Sequence, residues 1–182
     1  MEDTEELRRS SICRTQLSPS HWQEARFYGE AEQSSTDEEG TEMTCKSAIM
    51  TANTSSQELL ANAPIPFGSI VRRYGRFCNL AGSDIVIGDY CSDEGCGYYK
   101  VDCSVTLQPT AEGNVTVQLY VNGEPYSGAS AAQTVAAAGD TVTLSFPAIV
   151  RLFGCCTFAN LQVCIGEETA TMTNYVFTVE KI

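Results

Sequence analysis

The sequence predicts an all-β protein, an antiparallel sandwich of about ten short strands behind an acidic leader that is disordered or weakly helical. Three observations carry this prediction. Beyond Met43 apolar residues alternate with polar ones at period two, turn residues punctuate the chain at short intervals, and no helical period recurs after residue 60.

The leader, residues 1–42, holds 11 acidic and 4 basic residues, a net charge of -7, whereas residues 43–182 hold 12 and 7, a net -5. It has few branched apolar residues, and clusters such as SSTDEEGTE bury too little surface to offset ordering entropy. Ser20-His21-Trp22-Gln23 has the spacing of a capping box, which predicts one short helix there. The texture changes at Met43, so Met43 or Met50 is a candidate native start; an intact mass that begins at Met1 would exclude this.

The strands are expected near residues 47–52, 67–73, 77–80, 84–87, 98–107, 115–121, 126–135, 141–150, 158–164 and 171–180. Val115, Val117, Leu119 and Val121 alternate with Thr116, Gln118 and Tyr120, after which Asn122-Gly123 supplies the left-handed backbone of a tight hairpin. Gly139-Asp140 marks the next turn, and Val142, Leu144 and Phe146 then face opposite to Thr141, Thr143 and Ser145. Leu161, Val163 and Ile165 repeat the pattern, as do Tyr175, Phe177 and Val179.

The order of these pieces, FGSIVRRYG, GYYKVDCSVTL, NVTVQLYVNGEPYSGA, AGDTVTLSFPAIVRL and YVFTVEKI, resembles the jelly roll of the tumour-necrosis-factor and complement-globular-head superfamily. The nearest likeness is to its bacterial and phage branch, which includes the C-terminal domain of the collagen-like exosporium glycoprotein. The resemblance covers residues 43–182, and its most specific element is Gly97-Tyr98-Tyr99 entering a long strand. It implies a ten-strand jelly roll that forms a homotrimer, with Tyr98, Tyr99, Val101, Phe146, Tyr175, Phe177 and Val179 at the interface. Unlike the exosporium and complement proteins, the chain has no Gly-X-Y stalk. Attachment to a larger assembly therefore falls to the leader, the cysteines or another protein.

Nine cysteines, at 13, 45, 78, 91, 96, 103, 155, 156 and 164, are many for a reducing compartment, and the odd number leaves one thiol over. Cys103 alternates with Val101 and Val105 and reads as a small core residue, as does Cys164. Cys78, Cys91, Cys96, Cys155 and Cys156 are the candidates for disulfides or cross-links, with the connectivity open. A zinc site drawn from Cys78, Cys91, Cys96 and another thiol is the competing reading, although the spacing lacks a C-x2-C knuckle.

No catalytic constellation is visible. The only histidine, His21, lies in the leader, and no glycine-rich segment opens a helix to cradle phosphate. Asp89, Asp93, Glu94 and Asp102 read as a solvated acidic turn, not a calcium loop, because ligands do not alternate. Arg72, Arg73 and Arg76 read as a solvated edge that discourages strand pairing, with an anionic glycan as the rival reading. Asn53-Thr-Ser and Asn114-Val-Thr match the glycosylation pattern, but no secretory signal accompanies them.

The net charge of -12 excludes nucleic acid as the expected partner, and no run of apolar residues is long enough for a membrane helix. The expectation is a non-enzymatic structural or adhesive head, without cofactor or metal, on a phage virion, spore or cell surface. It would meet a glycan or protein receptor through loops 88–97, 122–130 and 153–158. The alternatives are a metal- or thiol-dependent protein built on the cysteine cluster and a receptor-binding signalling ligand.

Overall fold

The computed structural model describes residues 46–89, 93–154 and 157–182. The expectations for the leader, for its boundary at residue 42 and for Cys91, Cys155 and Cys156 lie outside these residues.

The described chain forms β1 (Ala48–Asn53), β2 (Gln57–Leu59), β3 (Ser69–Tyr74), β4 (Cys78–Ala81), β5 (Asp84–Gly88), a single 3-10 turn (Asp93–Gly95), β6 (Gly97–Pro109), β7 (Gly113–Val121), β8 (Glu124–Val135), β9 (Val142–Leu152), β10 (Phe158–Ile165) and β11 (Ala170–Lys181). The ten expected strands are all present near their expected limits. The additional one, β2, is three residues long, too short to show alternation, and exists because Gln57–Leu59 pairs with Ala170–Met172 of β11.

Two antiparallel sheets result. One runs β3-β1-β11-β6-β9, with β2 also paired to β11, and the other runs β4-β5-β10-β7-β8. Alternation decides which side of each strand is inside. Tyr99, Val101, Cys103, Val105 and Leu107 of β6, Tyr175, Phe177 and Val179 of β11, and Leu144 and Phe146 of β9 meet Val115, Val117, Leu119, Leu161 and Val163 from the second sheet, all buried. Phe67, in the approach to β3, inserts into this core, with its ring centroid 4.8 Å from that of Phe177 and 5.7 Å from that of Tyr175.

Two irregularities shape the edges. Between β1 and β3 the register passes from Met50↔Arg72 to Thr51↔Ile70, leaving Val71 bulged on an edge strand whose six residues are all exposed. Between β7 and β8 it passes from Gln118↔Ser130 to Tyr120↔Pro125. The Gln118 carboxamide fills that gap, donating to the carbonyls of Tyr126 at 2.7 Å and Ala129 at 3.3 Å. The hairpin beyond it is built as the sequence predicts, with φ of 55° at Asn122 and 82° at Gly123.

Candidate assembly face and loop end

The outward face of the six-stranded sheet follows from register. Ala48, Glu180, Lys100 and Ile149 form one row across β1, β11, β6 and β9; Met50, Thr178, Asp102 and Pro147 form the next; Ala52, Val176, Ser104 and Ser145 the third. The face is thus a mixture of small, aliphatic and hydroxyl side chains with one ion pair, Lys100–Asp102 at 2.8 Å.

Its apolar content gathers towards one corner. Tyr98 is 45 % exposed, Ile149 54 %, Phe153 63 % and Ile182 64 %. Pro147, Ala148, Ile149, Ile182 and the stem of Lys100 line an open groove of about 370 Å3. Arg151, opposite Tyr98 across the β6–β9 ladder, lays its guanidinium 5.0 Å from the Tyr98 ring centroid and 3.7 Å from that of Phe153. At the opposite edge of the same sheet, β3 exposes Ile70, Val71 and Tyr74.

This arrangement corrects most of the expected interface. Tyr99, Val101, Phe146, Tyr175, Phe177 and Val179 are all buried inside the subunit, because the apolar side of each strand closes on the second sheet. Of the seven expected residues, Tyr98 alone reaches the outward face. Ile149, Phe153 and Ile182 lie at positions where alternation gives no reason to single them out, since an isolated exposed apolar residue is ordinary in any sequence.

The loops expected to carry specificity share one end of the sandwich. Asp89 N–H donates to the Thr157 carbonyl at 3.2 Å, joining the β5–β6 and β9–β10 loops. Asn122 donates its N–H to the Asn160 carbonyl at 2.8 Å and accepts the Asn160 N–H on Oδ1 at 2.9 Å, which brings the β7–β8 turn beside them. Gly88 is required at this junction: its φ is 96°, and a Cβ there would stand 2.3 Å from the Thr157 carbonyl oxygen. The Tyr99 hydroxyl, buried beneath, donates to the Gly95 carbonyl at 2.5 Å and anchors the 3-10 turn.

The described thiols divide in two. Cys78, Cys103 and Cys164 are buried free thiols, and loss of solvation pushes Cys78 up to about 11 and Cys103 to about 12. Cys78, expected among the cross-linking cysteines, is thus a core residue, inert through the same burial that packs it. Tyr175 Oη, buried beside the Cys103 thiol, finds no nitrogen or oxygen partner among the described residues. Cys96 is different: half-buried, its Sγ contacts the Gly154 carbonyl oxygen and lies 3.8 Å from Thr157 Oγ1.

The acidic turn is occupied by its own counter-charge. Arg76 bridges Glu94 at 2.8 Å and Asp89 at 3.6 Å, while Asp102 is held by Lys100. Among the described residues no group of three or more His, Cys, Asp or Glu is arranged to hold a metal. Arg72 and Arg73 lie on the bulged edge strand β3. Asn53 is buried, with its amide donating to the Pro66 carbonyl at 3.2 Å, whereas Asn114 is exposed on β7. Among the described residues no helix is long and apolar enough to cross a membrane.

Taken together, the two sheets and their strand order define an antiparallel jelly-roll sandwich. Among solved structures, murine APRIL at pH 5.0 aligns with a TM-score of 0.56 and 12 % identity over 75 % of this chain and 99 % of its own. The globular domain of zebrafish complement 1qA protein aligns at 0.53 and 11 %, over 75 % of this chain and 96 % of its own. The PRD1 vertex protein P5 aligns at 0.48, too distant to bear on this chain. No family model and no curated protein sequence matches the chain.

Proposed function

We propose that this chain is the subunit of a non-enzymatic homotrimeric head, which displays its loop end on a virion, spore or bacterial cell surface to a host or glycan receptor. The observation that carries the assembly is the pair of apolar patches on opposite edges of one sheet: Tyr98, Ile149, Phe153 and Ile182 towards β9, and Ile70, Val71 and Tyr74 on β3. Two different patches favour a heterologous contact, each copy offering one edge to the next, and such contacts form a ring where the rotation between copies closes. A twofold dimer would instead need one self-complementary patch. The likeness to jelly rolls at TM-scores above 0.5 supports the fold on which this reading stands.

Display fits the remaining features. Three loops share one end, held to the scaffold by backbone hydrogen bonds and by the Tyr99 anchor, so their shapes can vary while the sandwich stays fixed. The negative charge of the chain argues for a neutral or basic receptor surface and against nucleic acid.

Chemical cross-linking tests the assembly at residue level. A short amine-reactive or zero-length reagent should trap three linked chains from the native protein. Ile149→Glu, which places a charge in the groove, should abolish the trapped species while the far-ultraviolet circular dichroism of the subunit persists. Unchanged cross-linking in that variant would remove the β9 patch from the interface.

A further inference from the structure

At the end of the sandwich remote from loops 88–97, 122–130 and 153–158 lies a depression of about 220 Å3 that the proposed interface does not use. Strand pairing builds it. β2 lies against the start of β11 and sets Glu58 opposite Thr171, which in turn faces Gln108 of β6, so these positions share the outward face of the six-stranded sheet. The β6–β7 and β10–β11 connections close the end. Thr110 N–H donates to the Thr169 carbonyl at 3.1 Å, and the hydroxyl oxygens of Thr110 and Thr169 lie 2.5 Å apart. Leu59 is buried against the core, whereas Leu60, also lining the depression, is 71 % exposed.

The lining therefore combines leucine side chains with one carboxylate and the hydroxyls of Thr110, Thr169 and Thr171. Glu58 makes no ion pair among the described residues. No described Lys or Arg stands beyond the row of Arg72, Met50, Thr178 and Asp102 towards this end. From Asp102 to Gln108 the strand rises about 20 Å, more than twice the Debye length of about 8 Å at physiological ionic strength. The closing connections add Glu112, Glu167 and Glu168, so an anion is repelled.

The lining also discriminates among cations. Calcium takes six or more oxygens, usually from several carboxylates, and Glu58 is the one carboxylate in the lining. Lysine matches both halves of the site: its aliphatic stem covers the leucines, and its ammonium offers three donors to one carboxylate and the neighbouring hydroxyls. The planar fork of arginine suits a bidentate acceptor and gains less from separate hydroxyl oxygens.

We propose that this depression binds a lysine side chain presented by a partner protein. The site depends on neither the trimer nor the receptor at the loop end.

The test is amide shift mapping by nuclear magnetic resonance of the 15N-labelled full chain titrated with N-acetyl-lysine N-methylamide. Saturable shifts are expected at residues 57–60, 110 and 169–171. They should weaken with salt and be absent with the norleucine analogue, which keeps the stem without the ammonium. Glu58→Gln should weaken binding about threefold or more, as loss of an exposed ion pair does. Glu167→Gln, outside the lining, should leave the affinity unchanged. Shifts that do not saturate, equal shifts from the norleucine analogue, tighter binding of the arginine analogue, or equal losses in the two variants would overturn the assignment. The norleucine comparison is made on the unaltered chain, so a folding defect in Glu58→Gln does not leave the question open.

Discussion

Gln118 shows how one polar side chain holds an irregular edge. Its amide donates to the carbonyls of Tyr126, Ala129 and Leu119 where the β7–β8 ladder is interrupted. Gln118→Ala should cost about 1–3 kcal/mol, since part-buried carbonyls lose their donor. A lower urea midpoint with an unchanged m-value is the expected signature. The alternation marks Gln118 as an outward position on its strand, but no sequence rule tells that its partners are the gap's own carbonyls.

The buried thiols make a second prediction at this scale. In the unfolded chain they ionise near 9.0, whereas in the fold Cys78 is pushed up to about 11 and Cys103 to about 12. Above pH 9 the unfolded state therefore binds fewer protons than the folded one, so stability present below pH 9 is lost as pH rises towards 11. Each thiol approaches a slope of about 1.4 kcal/mol per pH unit in that window. Urea midpoints should be flat from pH 7 to 8 and fall beyond 9, and Cys103→Val should make that fall shallower; an equal slope in the variant would refute the assignment.

Strands were the most legible part of the molecule, because a period of two survives any register and any neighbour. The FGSIVRRYG segment is the exception: it carries an expected strand, yet its six strand residues are all exposed and Val71 is bulged out of the ladder. β2 was illegible, since three residues give no period and its existence depends on β11. The face of each strand was legible, but not its partner. The resemblance implies a contact between copies for Tyr99, Phe146 and Phe177, whereas the apolar side of each strand has the subunit's own second sheet to close on. The Phe67 contact to Phe177 and Tyr175 shows how complete that closure is, and Phe177→Ala should cost about 3–5 kcal/mol in chemical denaturation. A cost below about 1 kcal/mol would mean that the site lies open to solvent or to another chain.

At the scale of the whole molecule, the jelly roll separates two tasks. The interior of the sandwich is occupied by aromatic and branched side chains and by inert thiols, so the proposed assembly falls to the outward face and the proposed recognition to the loop end. The sequence shows that separation only in part. Loops 88–97, 122–130 and 153–158 are recognisable from turn residues, but their convergence follows from the pairing of β10 with both β5 and β7. The proposed assembly rests on a few exposed side chains, Tyr98, Ile149, Phe153 and Ile182, which only strand order places together.

The proposed assembly joins three subunits through that face. Light scattering coupled to size exclusion, run with and without reductant, measures it directly. A homotrimer gives one particle of three times the 19.7 kDa chain mass under both conditions, because the proposed interface is made by apolar contact. A particle of single-chain mass under both conditions would contradict it.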